Sequence, residues 1–285
     1  MKFAYLPGCT TKGSSREVQD AMLCVADGLG ITLVDMPSAA CCGGGIIKQA
    51  NHRLQLTINA RNFAMAEKLG LDILTLSASC QGVLHEDLTL LLTDEPLRAE
   101  INDILERTSG IRFEGELRVR HILEVLVEDI GLDSISAKVK NPIGFQVAAY
   151  YGSSMLRSGA NGLDDPFNPS YFEKLIEALG GIPVNYDGRT RSIGSSLGLL
   201  AQEKTVMQMV ASVLSEAKQE GARLMVSACP KAHFSLDVYQ PKAARISGKK
   251  INMPVIHLPE LVAFSLGYFV NRYAQLRTRI MVIGD

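Results

Sequence analysis

The sequence predicts an α/β protein with two similar Rossmann-like parallel-sheet domains, related by an internal pseudo-two-fold repeat. Short apolar segments with the length of buried strands alternate with longer segments of helical periodicity, a pattern typical of parallel sheets covered by helices. A series of turns in the first half recurs in the same order in the second half. Cysteines of the first half directly follow three of the predicted strands.

The first half alternates strands and helices whose ends are marked by Pro, Gly and Ser. The elements expected there are strand Lys2–Leu6, a helix from Ser14, strand Ile31–Val34, helix Ile46–Leu69, strand Asp72–Leu76, and helices Leu84–Leu92, Pro96–Thr108 and Arg118–Ile130. Carboxyl ends of parallel strands meet at one sheet edge, which is where ligands bind in open α/β sheets.

The second half repeats this plan. Strand Ile143–Ala149 and its turn resemble the first strand and its turn, and residues 179–196 and 221–229 parallel residues 29–44 and 70–80. The corresponding steps between turns are thirty-odd positions long in both halves. A polar segment with a proline, Lys140-Asn141-Pro142, separates the repeats, which predicts domains over residues 1–140 and 141–285.

Bulk composition excludes several classes of protein. The chain has 285 residues, 47% of them hydrophobic, and a net charge of −1, so nucleic acid is not the expected partner. No apolar run is long enough for a membrane span, and Pro7 and Gly8 interrupt the start too early for a signal peptide. Six cysteines without a signal peptide predict reduced thiols or metal ligands in the cytoplasm.

The segment Cys41-Cys42-Gly43-Gly44-Gly45 is the most informative stretch. Adjacent cysteines make a strained disulfide, whereas two thiolates at one point of the backbone suit a metal or a metal cluster. The glycines Gly43 and Gly44 let backbone amides approach that group closely. The alternative is a loop with two small buried thiols. A nucleotide P-loop is disfavoured because Gln49 follows Lys48 where Ser or Thr is needed.

With this segment, Cys9 and Cys80 complete a set of four cysteines from three loops at one sheet edge. Four thiolates suffice for one iron-sulfur cluster, and they also suffice for a tetrahedral zinc site. Zinc sites usually contain a Cys-x2-4-Cys knuckle, and the only close pair here is vicinal. We therefore interpret Cys9, Cys41, Cys42 and Cys80 as metal ligands, with zinc as the rival occupant.

The pattern resembles the cysteine-rich CCG domain family, and within it the B-type component of heterodisulfide reductase. The family motif is Cys, a gap, Cys-Cys-Gly, a second gap and Cys-x-x-Cys, commonly present twice. In this chain Cys9, Cys41, Cys42 and Cys80 match the first copy, and Val83 stands at the expected last position. In the second copy Ser153, Ser192, Ile193 and Ala232 replace cysteines, and only Cys229 is retained.

The resemblance implies two Rossmann-like halves and a non-cubane cluster in each complete half. With four thiolates in one half and one in the other, we expect one 4Fe-4S cluster in the first half, either non-cubane or cubane. The resemblance further implies a cytoplasmic complex with a C-type iron-sulfur protein and an A-type flavoprotein. The uneven motifs resemble heterodisulfide-reductase-like complexes of sulfur oxidisers.

The expected function is that of an iron-sulfur redox subunit, an oxidoreductase component that moves electrons in thiol/disulfide or sulfane-sulfur chemistry. Its partners would include a sulfur-carrier protein or thiol substrate and a paralogous B-type protein. Two alternatives stay open. One is a scaffold subunit with a non-redox metal, paired with a catalytic paralogue. The other is a subunit of a CCG-family lactate, glycolate or succinate oxidoreductase.

Cys229 follows a strand, so its thiol is expected to face the cleft between the halves, with Lys231 and His233 close in sequence. It is the candidate catalytic residue, as a relay for a sulfur atom; the alternative is a relic of the lost motif.

The remaining residues have simpler expected roles. These are Cys24 as core, His52 and His121 as surface or helix residues, His85 as a substitute ligand, Arg157, Arg189 and Arg191 as anion-binding or surface residues, and the segment Phe264–Ile283 as a subunit interface or terminal helix.

Overall fold

The computed structural model describes residues 1–44, 47–156, 164–195 and 202–268. Within these residues the chain forms two four-stranded sheets, and every paired strand runs parallel to its neighbour. The predicted fold class, two similar Rossmann-like halves, is confirmed.

The first sheet has the strand order β2-β1-β3-β4. Its strands are β1 Lys2–Tyr5, β2 Thr32–Asp35, β3 Ile73–Thr75 and β4 Val119–His121. The strand β4 lies where the sequence predicted the start of the helix Arg118–Ile130, so that start was wrong, although residues 122–131 are helical. The helix begins only at Ile122, because the His121 side chain accepts a hydrogen bond from the Leu123 N–H and the Glu124 carboxylate accepts one from the His121 N–H.

The second sheet has the order β6-β5-β7-β8, which matches the first sheet position by position. Its strands are β5 Gln146–Tyr150, β6 Ile182–Pro183, β7 Leu224–Ser227 and β8 Val255–His257. After β8 the Glu260 carboxylate accepts the His257 N–H at 2.7 Å, as Glu124 does after β4. Each half therefore has a fourth strand that the sequence analysis did not anticipate.

Helices cover the sheets on both faces. In chain order they are α1 Cys9–Lys12, α2 Arg16–Leu29, α3 Ile47–Ala50, α4 His52–Lys68, α5 Ala78–Thr93, α6 Glu95–Ser109, α7 Ile122–Glu124, α8 Leu132–Ser136, α9 Ser153–Leu156, α10 Tyr171–Ala178, α11 Glu203–Gln219, α12 Pro230–Val238, α13 Gln240–Ser247 and α14 Leu258–Ser265. A π-helical segment, Val125–Gly131, joins α7 to α8, and a 3-10 turn, Asp187–Thr190, follows β6.

Two capping residues explain where predicted and observed helices differ. The predicted helix Ile46–Leu69 is divided into α3 and α4, because the Asn51 side chain accepts the Leu54 N–H and starts a new helix. Helix α5 begins before the predicted Leu84, because the Ser77 side chain accepts the Cys80 N–H at 3.3 Å. Cys80 thus lies in the first turn of a helix.

The two halves share a hydrophobic core. One buried cluster combines first-half residues such as Phe3 and Val25 with second-half residues such as Phe145 and Leu175. Helix α2 of the first half packs against α14 of the second. The boundary at residue 140 stays a prediction, since both halves contribute to this core. None of the helices in the described ranges is long and apolar enough to cross a membrane.

His121 was interpreted from the sequence as a surface or helix residue, and that interpretation was wrong. Its side chain is fully buried, and its Nε2 lies 2.9 Å from the carbonyl oxygen of Ala228 in the other half. Burial lowers the pKa of His121 to about 4, so the ring is neutral at physiological pH. The Ala228 carbonyl also accepts the Ala78 N–H at 3.2 Å, which joins the halves through their backbones.

Candidate metal centre

The structure brings four predicted ligands together at the carboxyl edge of the first sheet. Cys9 begins α1 after β1, Cys41 and Cys42 follow β2, and Cys80 lies in α5 after β3. The Sγ atoms of Cys41 and Cys9 are 3.5 Å apart, and those of Cys42 and Cys80 are 3.4 Å apart. The four thiols therefore form two close pairs, joined by the adjacent positions of Cys41 and Cys42.

Glycines make this approach possible. At Gly8 the backbone has a φ of +91°, and a Cβ there would lie 3.2 Å from the Cys80 Sγ. Gly43 has a φ of +68°, and its N–H donates to the Cys41 Sγ at 3.5 Å. Both glycines adopt the left-handed region that other residues avoid. A side chain at Gly8 would also crowd the Cys80 sulfur.

Gly44 has a different role. A Cβ on this residue would lie 2.4 Å from Cγ2 of Val83, so the glycine lets Val83 pack directly against the cysteine loop. Val83 belongs to the apolar cluster that also contains Cys42, Cys80 and Leu84. Gly45 and Ile46, the next residues of the loop, lie outside the described ranges.

The thiols oppose one another's ionisation. The hydrogen bond with Cys42 and then burial raise the pKa of Cys41 far above its usual range. For Cys42 the contact with Cys41 lowers the pKa, but the contact with Cys80, burial and the charge of Cys80 together outweigh it, and the pKa is raised. Burial is the largest cause that raises the pKa of Cys9, and the charge of Cys41 and the hydrogen bond with it raise this pKa further. Several thiolates cannot coexist here without a compensating cation, which fits a thiolate-ligated metal group.

A buried network behind the loop fixes the Cys42 carbonyl, and the sequence analysis missed it. The Gln55 Nε2 and the Asn59 Nδ2 donate to the Cys42 carbonyl oxygen at 3.2 and 3.0 Å. The same two amides donate to Oδ2 of Asp87 at 2.5 and 2.6 Å. Asp87 is fully buried in α5, and burial raises its pKa. His52 lies at the edge, with its Nε2 3.8 Å from Asp87 Oδ1.

Asn62 continues the network one turn along α4. Its Oδ1 accepts the Ala40 N–H at 2.9 Å, and its Nδ2 donates to the Ala40 carbonyl at 3.1 Å. Both backbone polar groups of the residue before Cys41 are therefore bound by one side chain. A signal for this role is present in the sequence. Gln55, Asn59 and Asn62 recur at helical spacing on the face of α4 that is buried.

Strand register corrects the expected position of the fifth ligand. Thr75 pairs with His121 in the first sheet, and Ser227 pairs with His257 in the second. Counting from these equivalent pairs, Ser77 corresponds to Cys229, and Cys80 corresponds to Ala232. The first copy of the Cys-x-x-Cys motif therefore spans residues 77–80, and its missing thiol is at Ser77. The placement of that position at Val83 was wrong.

Cys229 lies where the halves meet. It is 3% exposed, and its Sγ is 3.2 Å from the Ser79 hydroxyl and 3.6 Å from the Ser77 hydroxyl. It thus contacts the turn that carries Cys80, which agrees with the expectation that it faces the cleft between the halves. Lys231 lines the same cleft, whereas the His233 ring packs beside His257 with centroids 6.4 Å apart.

The arginines near the second site are bound to acids. Arg189 pairs with Glu173 at 2.5 Å, and Arg191 pairs with Glu216 at 2.7 Å. These pairs favour a structural role over anion binding; Arg157 lies outside the described residues.

Three further residues were considered from the sequence. Cys24 is half-buried beside the shared core, and His85 is half-buried, so that burial lowers its pKa. The Tyr268 hydroxyl donates to Asp27 at 2.9 Å, and the rest of the predicted terminal segment, residues 269–283, is outside the described ranges.

In the described ranges, no three His, Cys, Asp or Glu side chains are arranged so that one metal ion could bind them all. The chemistry of the thiol set fits a group that offers several metal atoms to several sulfurs.

Comparisons with known proteins agree with this site. The model of the cysteine-rich domain family, CCG, matches residues 3–85, which contain all four thiols. The 8-methylmenaquinol:fumarate reductase membrane anchor subunit of Wolinella succinogenes is 30% identical over 268 residues, which cover 93% of this chain and 92% of that protein. The B-type component of the ferredoxin:CoB-CoM heterodisulfide reductase of Methanosarcina mazei is 27% identical over 272 residues, covering 94% and 90%.

A solved structure of a hypothetical protein from Helicobacter pylori has the same fold. The TM-score is 0.77 at 14% sequence identity, and the match covers 97% of this chain. The chain spans only 51% of the length of that protein.

Proposed function

The chain belongs to the cysteine-rich CCG domain family that includes the B-type components of heterodisulfide reductase, and on that premise we propose that it is the iron-sulfur redox subunit of a heterodisulfide-reductase-like complex. The observation that supports this proposal most directly is the meeting of four thiols from three loops at the carboxyl edge of the first sheet. No flavin or nucleotide motif is evident in the sequence, so electrons would be exchanged with a partner protein.

Cys9, Cys41, Cys42 and Cys80 would hold one 4Fe-4S cluster, non-cubane or cubane. When bound, the cluster supplies a one-electron carrier whose potential depends on hydrogen bonds to its sulfurs and on exposure to water. The fifth position of the motif carries the Ser77 hydroxyl in place of a thiol. Because of this difference, both a cubane and a non-cubane cluster are compatible with the ligand set, and EPR spectroscopy distinguishes them.

The chain's own residues orient the thiols and exclude water. Gly43 donates its N–H to the Cys41 sulfur, which stabilises negative charge there and would raise a cluster's potential. Leu6 and Leu84 are buried beside Cys42 and Cys80, and Val83 packs against Gly44. This apolar surface keeps solvent from the side of the thiols that faces the protein interior.

Cys229 is proposed as the sulfur-handling residue of the same chain. Its thiol contacts Ser79, the neighbour of Cys80, so a sulfur atom bound there would lie beside the turn that carries one of the residues that would hold the cluster. The proposed reaction class is thiol/disulfide or sulfane-sulfur chemistry in the cytoplasm. The proposed partners are a C-type iron-sulfur protein, an A-type flavoprotein, a paralogous B-type protein and a sulfur-carrier protein or thiol.

A second candidate function has specific support. A relative that covers nearly the whole chain is part of an 8-methylmenaquinol:fumarate reductase. In that case the same cluster would serve a succinate or fumarate oxidoreductase. Copurification of native partners distinguishes the two: an A-type flavoprotein favours the first proposal, whereas a flavoprotein that oxidises succinate favours the second.

The test is a metal and EPR analysis of the full chain, purified without oxygen. We expect about four irons and four sulfides per chain. Cys41→Ser should lose most of the iron, whereas the matched control Cys24→Ser, which changes a thiol outside the site, should keep it. The EPR spectrum then separates cubane from non-cubane clusters. One zinc without iron would refute the redox proposal and leave the scaffold alternative.

A further inference from the structure

A cavity of about 360 Å³ lies at the carboxyl end of the second sheet. By the spacing of the sequence motif, and for Cys229 and Ala232 also by strand register, its wall contains every position at which a second set of metal-binding thiols would stand. These positions are Ser153, Ser192, Ile193, Cys229 and Ala232. Of these five positions only Cys229 carries a thiol, and the other four are hydroxyl or apolar residues. The cavity volume is at the lower end of the range for small-molecule sites.

Hydroxyl groups dominate the polar part of the wall. The Ser192 Oγ accepts the Gly194 N–H at 3.2 Å, so its own proton is left to donate to a ligand. The Ser195 Oγ lies 3.4 Å from the Ser235 Oγ, which also contacts the Lys231 carbonyl oxygen at 3.3 Å. Ser153 and Ser154 add two further hydroxyls. The cavity is thus provided with donors suited to oxygen atoms that accept several hydrogen bonds.

The described residues of the cavity wall include one basic side chain. Lys231 contributes an ammonium group, and none of the described residues that line the cavity is acidic. Lys231 and Ala232 belong to the first turn of α12, a nine-residue helix whose Cys229 N-cap makes no side-chain capping bond. The positive end of the α12 dipole therefore lies at the cavity wall. A cation would be repelled here, and an anion would be attracted.

We propose that this cavity binds a small oxyanion, a carboxylate or an inorganic oxyacid, beside the Cys229 thiol. One thiol is insufficient to hold a cluster, whereas the hydroxyls and the Lys231 ammonium group suit the oxygen atoms of an anion. The inference goes beyond the proposed redox function, because it concerns the half of the chain that lacks the metal-binding thiols. In this proposal the second half has exchanged metal ligation for ligand binding.

Two alkylating reagents of nearly equal size provide the test. Iodoacetate carries a carboxylate, and iodoacetamide is its neutral analogue; with each, a thiolate sulfur forms a bond to carbon as iodide leaves. The full chain with its metal is treated with either reagent, and modification of Cys229 is followed by peptide mass spectrometry. Cys24, which lies beside Asp20 and Asp27, is the internal reference thiol.

We expect the ratio of iodoacetate to iodoacetamide rates to be about tenfold higher at Cys229 than at Cys24, as one favourable charged contact would give. Lys231→Met should remove most of this preference, whereas the matched surface variant Lys242→Met should retain it. Protection of Cys229 from iodoacetamide by sodium propionate assigns the site to carboxylates, and protection by sodium sulfate assigns it to inorganic oxyacids.

Three results would overturn the proposal. One is an equal rate ratio at the two cysteines, and another is an unchanged preference in Lys231→Met that keeps the wild-type circular dichroism spectrum. The third is no alkylation of Cys229 by either reagent, because a ligand site of this size must admit both. Each result is independent of the iron analysis, since the modified peptide is identified directly.

Discussion

Asp87→Ala is the most informative perturbation of the buried network behind the cysteine loop. The Asp87 carboxylate accepts hydrogen bonds from the Gln55 and Asn59 amides, which also hold the Cys42 carbonyl. Alanine would leave two buried N–H donors without partners, at a cost of roughly 1–3 kcal/mol each. The substitution also removes the desolvation cost of the buried Asp87 carboxylate, which offsets part of this loss. We therefore expect a net decrease of about 2–4 kcal/mol in the free energy of unfolding.

The assay is urea denaturation of the full chain, followed by circular dichroism, together with a thermal scan. A loss near 3 kcal/mol corresponds to a fall in Tm of about 6–12 °C for a chain of this size. The matched control is Glu86→Ala on the same helix. Glu86 is exposed and pairs with Lys48 at 2.6 Å, so its removal should cost no more than about 1 kcal/mol.

The iron content provides a second readout for the same variant. If the amides orient Cys42, Asp87→Ala should also bind metal less completely than Glu86→Ala does. Equal unfolding midpoints for the two variants would refute the reasoning, because the network would then contribute no more to stability than a surface ion pair.

Two further predictions concern the contact between the halves. Gly82→Ala should destabilise the chain by about 1–3 kcal/mol, because its Cβ would lie 2.6 Å from the backbone oxygen of Ser154; Ser154→Ala keeps that oxygen and should be near neutral in the same urea assay. His121 stays neutral in the folded state down to about pH 4, whereas the unfolded chain protonates near pH 6.5, so stability should fall by about 3 kcal/mol as the pH drops through this window. His121→Gln should lack that part of the pH dependence, and an unchanged slope of the urea midpoint against pH would contradict the assignment.

The strand-turn-helix plan and the meeting of the four thiols could be predicted from the sequence because both depend on local signals. Apolar runs and glycines mark the elements, and parallel strands place their carboxyl ends at one edge. Strands β4 and β8 were missed because each has three residues and runs directly into a helix. The histidine that ends each strand also begins the helix, which is an unusual capping residue.

The assignment of the fifth ligand position failed for a different reason. Sequence alone aligned Cys80 with Cys229, since both are cysteines after a strand. The register of β3 and β7 against the fourth strands shows that Ser77, not Cys80, is equivalent to Cys229. Likewise, the roles of Asp87 and Gln55 depend on how α4 and α5 pack, which no local pattern encodes.

The hydrogen bond from Ala78 to the Ala228 carbonyl has an evolutionary consequence. It joins the two repeats through main-chain atoms, which every residue type except proline supplies at the donor position, so side-chain substitutions at neighbouring positions leave it intact. After a duplication, the second copy could therefore lose its thiols one at a time without releasing the first. Such a joint lets the two halves differ at their carboxyl edges, with four thiols in the first and one in the second, while their backbones stay connected.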